Sequence, residues 1–171
     1  MPRIISALTV GLFLLTGCGY HTAVSAAHLP ATVHTLAVPV FKNNTQSYHT
    51  EVAFTQATVQ ELSSRTPYRI VTGSTNADAI LEGAITGFQV SPLTYNSQTG
   101  QSSSFLITIH ARVKLVDRNN KVLYENPSYL FRQQYETTQD LASFIQEDNP
   151  AVQRLARDFA QSVVSDILES F

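Results

Sequence analysis

The clearest structural signal in this chain is the stretch Phe105-Leu106-Ile107-Thr108-Ile109-His110-Ala111-Arg112-Val113-Lys114-Leu115-Val116-Asp117. Every second residue from Phe105 to Leu115 is apolar, and mostly polar residues stand between them. A period of two predicts a β-strand that turns one face toward a core. The turn residues Asp117-Arg118-Asn119-Asn120 follow, and Lys121 to Gln133 is predicted to return as a second strand.

The return strand and the strand before Phe105 are less regular. Pro127 interrupts the return strand, which predicts a bulge or an edge position. Ala79 to Val90 alternates in part, and its glycines predict a bend or a bulge. Between Val90 and Phe105 lies the polar segment Ser91–Ser104, which is interpreted as a long mobile hairpin tip. Its candidate partner contacts are Tyr95, Asn96 and Gln98, with Tyr95 as the large amphipathic anchor.

Two helices flank this meander. His49 to Arg65 has a moderately amphipathic pattern, and Thr66-Pro67 ends it. The second helix starts at Pro150, with Asp148 or Asn149 as its cap. One apolar stripe marks this helix: Val152, Leu155, Ala156, Phe159, Ala160, Val163, Ile167 and Phe171. With short strands at Thr35–Phe41 and Tyr68–Val71, the pattern predicts an α/β (α+β) two-layer sandwich, a mostly antiparallel β-sheet with two helices packed on one face.

The N-terminus carries an export signal. Arg3 precedes an apolar run from Ile4 to Leu15, which is short for a membrane span. The run ends in Leu15-Thr16-Gly17-Cys18, which resembles the lipobox of bacterial lipoproteins. We therefore expect a signal peptide over residues 1–17, a lipid on Cys18, an extended tether over 18–34 and one domain over 35–171. An ordinary signal peptide with a chance cysteine is the alternative, although an odd thiol in an exported protein needs an explanation.

Several function classes find no support in the sequence. The net charge is −2 and no cluster of Lys and Arg occurs, so nothing favours nucleic acid as a partner. The five histidines have no helical metal-ligand spacing, and no cysteine besides Cys18 is present to join them. No nucleophile motif is present. The prediction is a protein without enzyme activity, metal or cofactor apart from the covalent lipid.

Two motifs resemble a known family. Cys18-Gly19-Tyr20-His21 directly after the lipobox, and Leu36-Ala37-Val38-Pro39-Val40-Phe41-Lys42-Asn43-Asn44-Thr45, are similar to the start of the LPS-assembly lipoproteins of the LptE family. This resemblance implies a plug inside the LptD β-barrel that helps the barrel assemble and contacts LPS. It also implies a binding role at the periplasmic face of the outer membrane. By resemblance to enterobacterial sorting rules, Gly19 directly after Cys18 favours the outer membrane over the inner one.

The resemblance leaves the LPS contact open. In the family, basic residues near the hairpin tip and on the last helix are implicated in binding LPS phosphates, yet Ser91–Ser104 contains no Lys or Arg. The remaining candidates are Arg154 and Arg157 on the last helix, and Arg112 and Lys114 on the long strand, since guanidinium groups suit phosphate. A solvated polar face is the alternative for each of them.

Two other classes of protein remain possible from the sequence. One is a periplasmic lipoprotein that regulates another envelope assembly, such as a peptidoglycan-synthase activator or a curli-secretion-like subunit. The other is a lipid-anchored hydrolase, which would need a pocket with a convergent acid and base.

Overall fold

The computed structural model describes residues 33–95, 102–136 and 150–171. The predicted signal peptide, Cys18, the tether up to residue 32 and the candidate caps Asp148 and Asn149 lie outside these residues. Asn96 and Gln98 lie outside them as well, and for Tyr95 the structure describes the backbone alone.

The described chain forms one six-stranded sheet and two helices. The elements, in chain order, are β1 (Thr35–Ala37), β2 (Lys42–Asn43), α1 (Thr50–Arg65), β3 (Arg69–Val71), β4 (Ala79–Tyr95), β5 (Ser102–Asp117), β6 (Val122–Glu136) and α2 (Pro150–Glu169). The strand order is β3-β1-β4-β5-β6, and β2 pairs with β4 further along the same edge as β1. This arrangement confirms the predicted α+β sandwich.

The sheet is mixed because its first strands run parallel. β1 pairs in parallel with both β3 and β4, and β2 also pairs in parallel with β4. A parallel pair needs a crossover, and α1 supplies it between β1 and β3. From β4 onward the sheet is the predicted antiparallel meander. Its second turn closes as predicted, since the Asp117 carboxylate accepts the backbone N–H of Asn119 at 2.7 Å and of Lys121 at 2.9 Å.

The core lies between the sheet and the two helices. On β5 the predicted inward residues from Ile107 to Leu115 are fully buried, whereas His110 and Arg112 on the other side are exposed. Phe159 of α2 is at the centre, with its ring 5.0 Å from Phe54 of α1. The face opposite the helices is called the open face below.

The buried side of α2 differs slightly from the predicted stripe. Ala151 and Val164 are buried together with Leu155, Phe159 and their helical neighbours, whereas Val152 is half-buried. Phe171 follows the helix end and is 41% exposed. The buried face is wider than the stripe because α2 packs against α1 as well as against the sheet, so two adjacent sides of the helix are covered.

The two glycines of β4 have different structural roles. The register shift between Ile85 and Gly87 confirms the predicted bulge. Gly83 instead allows a close approach, because a Cβ there would lie 2.6 Å from the ring of Phe41. β1 ends at Ala37, two residues before Pro39 and earlier than the predicted Phe41, and pairing with β4 resumes at Lys42. The intervening chain is what brings Phe41 over the sheet.

The packed domain includes residues before Thr35. Val33 is 4% exposed and belongs to the core. The Asp78 carboxylate accepts the backbone N–H groups of His34 and Thr35, each at 2.9 Å, and it also pairs with Arg118. These backbone hydrogen bonds, with the charge of Arg118, hold the pKa of Asp78 below its usual value. The chain therefore joins the domain beside the β5–β6 turn.

Candidate interaction surfaces

The segment predicted as a loose hairpin tip is largely a continuation of the sheet, so the prediction of a loop over Ser91–Ser104 is wrong. β4 runs to Tyr95 and β5 starts at Ser102, with Ser91 opposite Leu106 and Thr94 opposite Ser104. The prediction relied on the polarity of the side chains. The hydrogen bonds between paired strands are made by the backbone, so strands can also contain Ser and Thr. Register shifts near Pro92 and Thr94 mark the irregular end of the pairing.

The extended pairing lengthens one end of the sheet, called the arm here and defined as residues 86–95 of β4 with 102–110 of β5; Ile107 and Ile109 pack the arm into the core, and β6 pairs with it as far as Glu136. Beyond Ile85, where β2 ends, no described strand pairs with the other side of β4. Ten residues at about 3.3 Å each give the arm a reach of roughly 33 Å. Phe105 stacks on Tyr135 of β6 with centroids 5.5 Å apart, which braces the arm. Leu93 near its end is 47% exposed.

Two basic residues converge on a cleft in the open face. Lys42 and Arg112 both lie opposite Ala84, one on each side of β4. They line a cleft of about 330 Å³ together with Val40, which is 65% exposed, and Pro127. Lys114, Glu82 and Glu125 line the same cleft, so three cations and two carboxylates stand beside its apolar wall. The excess of one positive charge suits an amphiphile that carries an anionic group. Lys42 was not a candidate from the sequence, because its convergence with Arg112 depends on the parallel pairing of β2.

The candidates Arg112 and Lys114 differ in their charged neighbours. Lys114 lies opposite Glu82 on β4 and opposite Glu125 on β6, so carboxylates flank it on both sides. Arg112 lies opposite Ala84 and, toward β6, at the register shift between Ala111 and Val113. Cross-strand pairs of opposite charge attract, so Lys114 is largely compensated. Arg112 therefore has fewer carboxylates directly opposite it than Lys114.

Arg154 and Arg157 do not join this cleft. Both are exposed on α2 and therefore belong to the helix layer, on the opposite side of the sheet from Arg112. Arg154 lines a separate cleft with Tyr135 and Glu136, where the end of β6 meets the first turn of α2. The four candidates from the sequence therefore divide between two faces of the domain.

A polar cluster holds β6 against α2. The Tyr129 hydroxyl donates to the Asp166 carboxylate at 2.6 Å and lies 2.6 Å from the hydroxyl of Tyr124. Burial, with the Asp166 carboxylate beside it, raises the pKa of Tyr129. The neutral phenol is thus the form that the fold requires. The sequence places Asp166 on the polar side of the helix and gives no sign of this contact.

The Asn-rich turn that carries the family resemblance has a structural role. The Asn43 side-chain amide donates to the Ser47 carbonyl and to the Glu51 carboxylate, each at 2.6 Å. Its oxygen accepts the backbone N–H and the hydroxyl of Thr45, at 2.9 and 2.7 Å. One side chain therefore organises the whole connection from β2 to α1, which places Lys42 and Phe41.

Neither a metal centre nor a membrane-spanning helix is found in the described residues. No group of three or more His, Cys, Asp or Glu side chains is placed to hold a metal ion there. No helix within residues 33–95, 102–136 and 150–171 is long and apolar enough to cross a bilayer.

Solved structures of other bacterial proteins share this fold. The rare lipoprotein B of Shewanella oneidensis has a TM-score of 0.54 at 11% identity, over 80% of this chain and 95% of its own. A protein of Xanthomonas campestris has a TM-score of 0.55 at 14% identity, over 83% and 89% of the two chains. A hypothetical protein of Chlamydia trachomatis has a TM-score of 0.53 at 10% identity, over 81% and 97%. At these identities the likeness concerns the fold alone.

Sequence comparison identifies the family directly. No curated protein sequence matches this chain. The family model described as "LptE: Lipopolysaccharide-assembly" matches residues 33–167, which include all six strands, α1 and all but the last two residues of α2. This range covers more than half of the 171 residues and confirms the resemblance seen in the sequence. The chain therefore belongs to the LptE lipopolysaccharide-assembly family.

Proposed function

We propose that this protein is an outer-membrane lipoprotein that plugs the LptD β-barrel, helps it assemble and assists LPS transport and insertion. The observation that carries the proposal is the family match over the whole domain. The same match favours this role over a regulatory lipoprotein or a lipid-anchored hydrolase. The function is one of binding, with LptD and LPS as partners, and the covalent lipid on Cys18 holds the protein at the periplasmic face of the membrane.

The shape of the domain supports a plug. A two-layer body with one buried core gives a rigid mass. The arm, which is packed into this body through Ile107 and Ile109, is roughly 33 Å long, a length comparable to the hydrocarbon core of a bilayer. Its polar side chains suit the wet lumen of a barrel. The chain enters the domain beside the β5–β6 turn, at the opposite end of β5 from the arm, so a lipid tether leaves the arm unobstructed.

The cleft on the open face supports the contact with LPS. An LPS molecule combines phosphate groups with apolar chains. Lys42 and Arg112 supply cations on either side of Ala84, and Val40 supplies an exposed apolar wall. Guanidinium and ammonium groups are the usual protein ligands of phosphate. We therefore assign the LPS contact to Lys42 and Arg112 of this cleft, rather than to Lys114, which lies opposite Glu82 and Glu125, or to the arginines of α2.

The plug role is tested by capture of the barrel. The protein, tagged at its C-terminus, is isolated from solubilised membranes, and LptD is detected in the eluate. A second variant replaces Leu93–Ser104 by a two-residue Asn-Gly turn, which keeps the native pair of Pro92 with Phe105 and the stack of Phe105 on Tyr135. The variant loses the irregularly paired ends of β4 and β5 as well as the turn, so it should still fold and should unfold at a somewhat lower temperature. It should capture several-fold less LptD.

The controls distinguish the plug role of the whole domain from a contact made by the shortened segment of β4 and β5. Gln161→Ala, an exposed change on α2, should leave both capture and stability unchanged. Absence of LptD from the eluate of the unaltered protein would refute the plug role. Full capture by the shortened variant would refute the assignment of the tip as a contact and move the interface to another part of the sandwich.

A further inference from the structure

Within residues 33–95, 102–136 and 150–171, one edge of the sheet is long and has no strand on its outer side. β3, at one end of the sheet, is three residues long, and the pairing of β4 with β5 is irregular from Pro92 to Tyr95. β6 forms the other edge over fifteen residues, and no described strand pairs with its outer side. Open edges tend to pair with further strands unless something blocks them.

The two halves of β6 differ in this respect. In the first half, Pro127 lacks a backbone N–H, and the Asn126 side chain accepts the N–H of Ser128 at 3.0 Å. A register shift opposite Asn126 bends the strand further. The second half, Tyr129 to Glu136, keeps continuous register with β5 from Ala111 to Ser104 and contains neither proline nor lysine. Blocking devices are therefore confined to the first half.

In the second half of β6, one backbone carbonyl oxygen already accepts a hydrogen bond from a side chain. The Gln133 side-chain amide donates to the Gln134 carbonyl oxygen at 2.9 Å. A backbone N–H of an added strand would supply the same kind of bond. Displacing one flexible amide costs little, so the edge remains available for pairing.

The exposed side chains of this half are complementary to themselves. Arg132, Gln134 and Glu136 alternate along the open face, and all three are exposed. In an antiparallel pair of two copies centred on Gln134, each Arg132 lies opposite the Glu136 of the other copy. The two Gln134 residues meet at the axis, and every side chain keeps its own face.

We propose that two copies of this protein associate through β6, antiparallel and centred on Gln134, to form one continuous sheet. Charge selects this register. Centring on Arg132 would place two arginines opposite each other, which is repulsive. Centring on Gln133 would leave Glu136 opposite Leu130. This dimer would form from copies of the protein that are not enclosed by a barrel. The proposal therefore does not depend on the proposed plug function.

Disulfide trapping in intact cells tests the register. Opposite Cα atoms of an antiparallel pair lie about 4.5–5.5 Å apart, within the range of a disulfide. Gln134→Cys should therefore give a dimer-sized band on non-reducing gels after mild oxidation. In Arg132→Cys the two cysteines are offset by four residues, about 13 Å along the strand, and should not link. Gln89→Cys, an exposed glutamine on the open face of β4, is the matched control, and the unaltered chain controls for Cys18.

Charge reversal tests the two ion pairs that flank the axis in the proposed register. In the Gln134→Cys background, Arg132→Glu opposes two carboxylates at both symmetric positions and should weaken dimer formation about tenfold. Adding Glu136→Arg restores opposite charges and should restore the dimer, which also shows that the variants fold. Equal trapping of Arg132→Cys and Gln134→Cys, no trapping above the Gln89→Cys level, a barrel-sized adduct in place of the dimer, or no rescue would each overturn the proposal.

Discussion

Phe159 is the residue on which the two layers depend most. Its side chain is fully buried, and its ring contacts four other aromatic rings from three different parts of the chain. Centroid distances are 5.0 Å to Phe54, 5.7 Å to Tyr129, 5.8 Å to Phe131 and 6.0 Å to Phe41. Phe159→Ala therefore removes a side chain that joins α1, β6 and the β1–β2 connection at once.

The expected cost follows from burial and cavity formation. Truncation of a buried Phe to Ala destabilises proteins by about 3–5 kcal/mol. The neighbours here are large rings fixed by their own strands and helices, so they cannot close the space, and we expect the upper part of that range. A domain of this size has a total stability of about 5–15 kcal/mol, so the loss is a large fraction of it.

Urea denaturation of the unaltered protein and the variant, followed by far-UV circular dichroism, measures this cost. With an m-value of about 1–3 kcal/mol/M, a loss of about 4–5 kcal/mol should lower the midpoint by roughly 1.3–5 M. Phe171→Ala is the matched control, because Phe171 follows α2 and is 41% exposed, and it should change stability by less than about 0.5 kcal/mol. A loss below about 1 kcal/mol for Phe159→Ala would show that this ring cluster does not hold the layers together.

Three further predictions concern other parts of the molecule. The pKa of Asp78 is lowered from 3.8, so its contribution to stability is present above that pH and is lost as the pH falls through the lower folded value. Asp78→Asn should thus be less stable at neutral pH, with a gap to the unaltered protein that closes in acid, and a gap constant with pH in denaturant titrations would contradict this. Lys42→Ala with Arg112→Ala should weaken LPS binding several-fold in a pull-down, whereas Arg157→Ala should not, and equal binding by all three proteins would exclude the cleft. Cys18→Ser should leave the protein in the soluble fraction or uncleaved, and partition of this variant with outer membranes lacking LptD would contradict a lipid anchor.

Local patterns in the sequence were sufficient for much of the fold. The alternation from Phe105 to Leu115 predicted both the strand and its buried side, because burial of one sheet face imposes a period of two. Pro150 correctly marked the start of α2, and Asp117 to Asn120 correctly marked a turn. Each of these features depends on residues within a few positions of each other. The family resemblance also rested on short local motifs, and the family match confirms it.

Residues 91–95 and 102–104 show where local patterns failed. Their polar composition is typical of a loop, yet they extend β4 and β5 because each strand offers its backbone to the other. The pairing partner decides that outcome, and the partner is distant in sequence. For the same reason the polar link between Tyr129 and Asp166 was not predicted.

The sequence by itself determined the class of fold, the core face of β5, the start of α2 and the family, since all of these follow from periodicity or short motifs. Tertiary structure decided which strands run parallel, that Lys42 joins Arg112 across Ala84, that Lys114 lies between two carboxylates, and that half of β6 is an open edge. These properties are set by register between strands. Register depends on which residues face each other across the sheet, and that information exists only once the chain has folded.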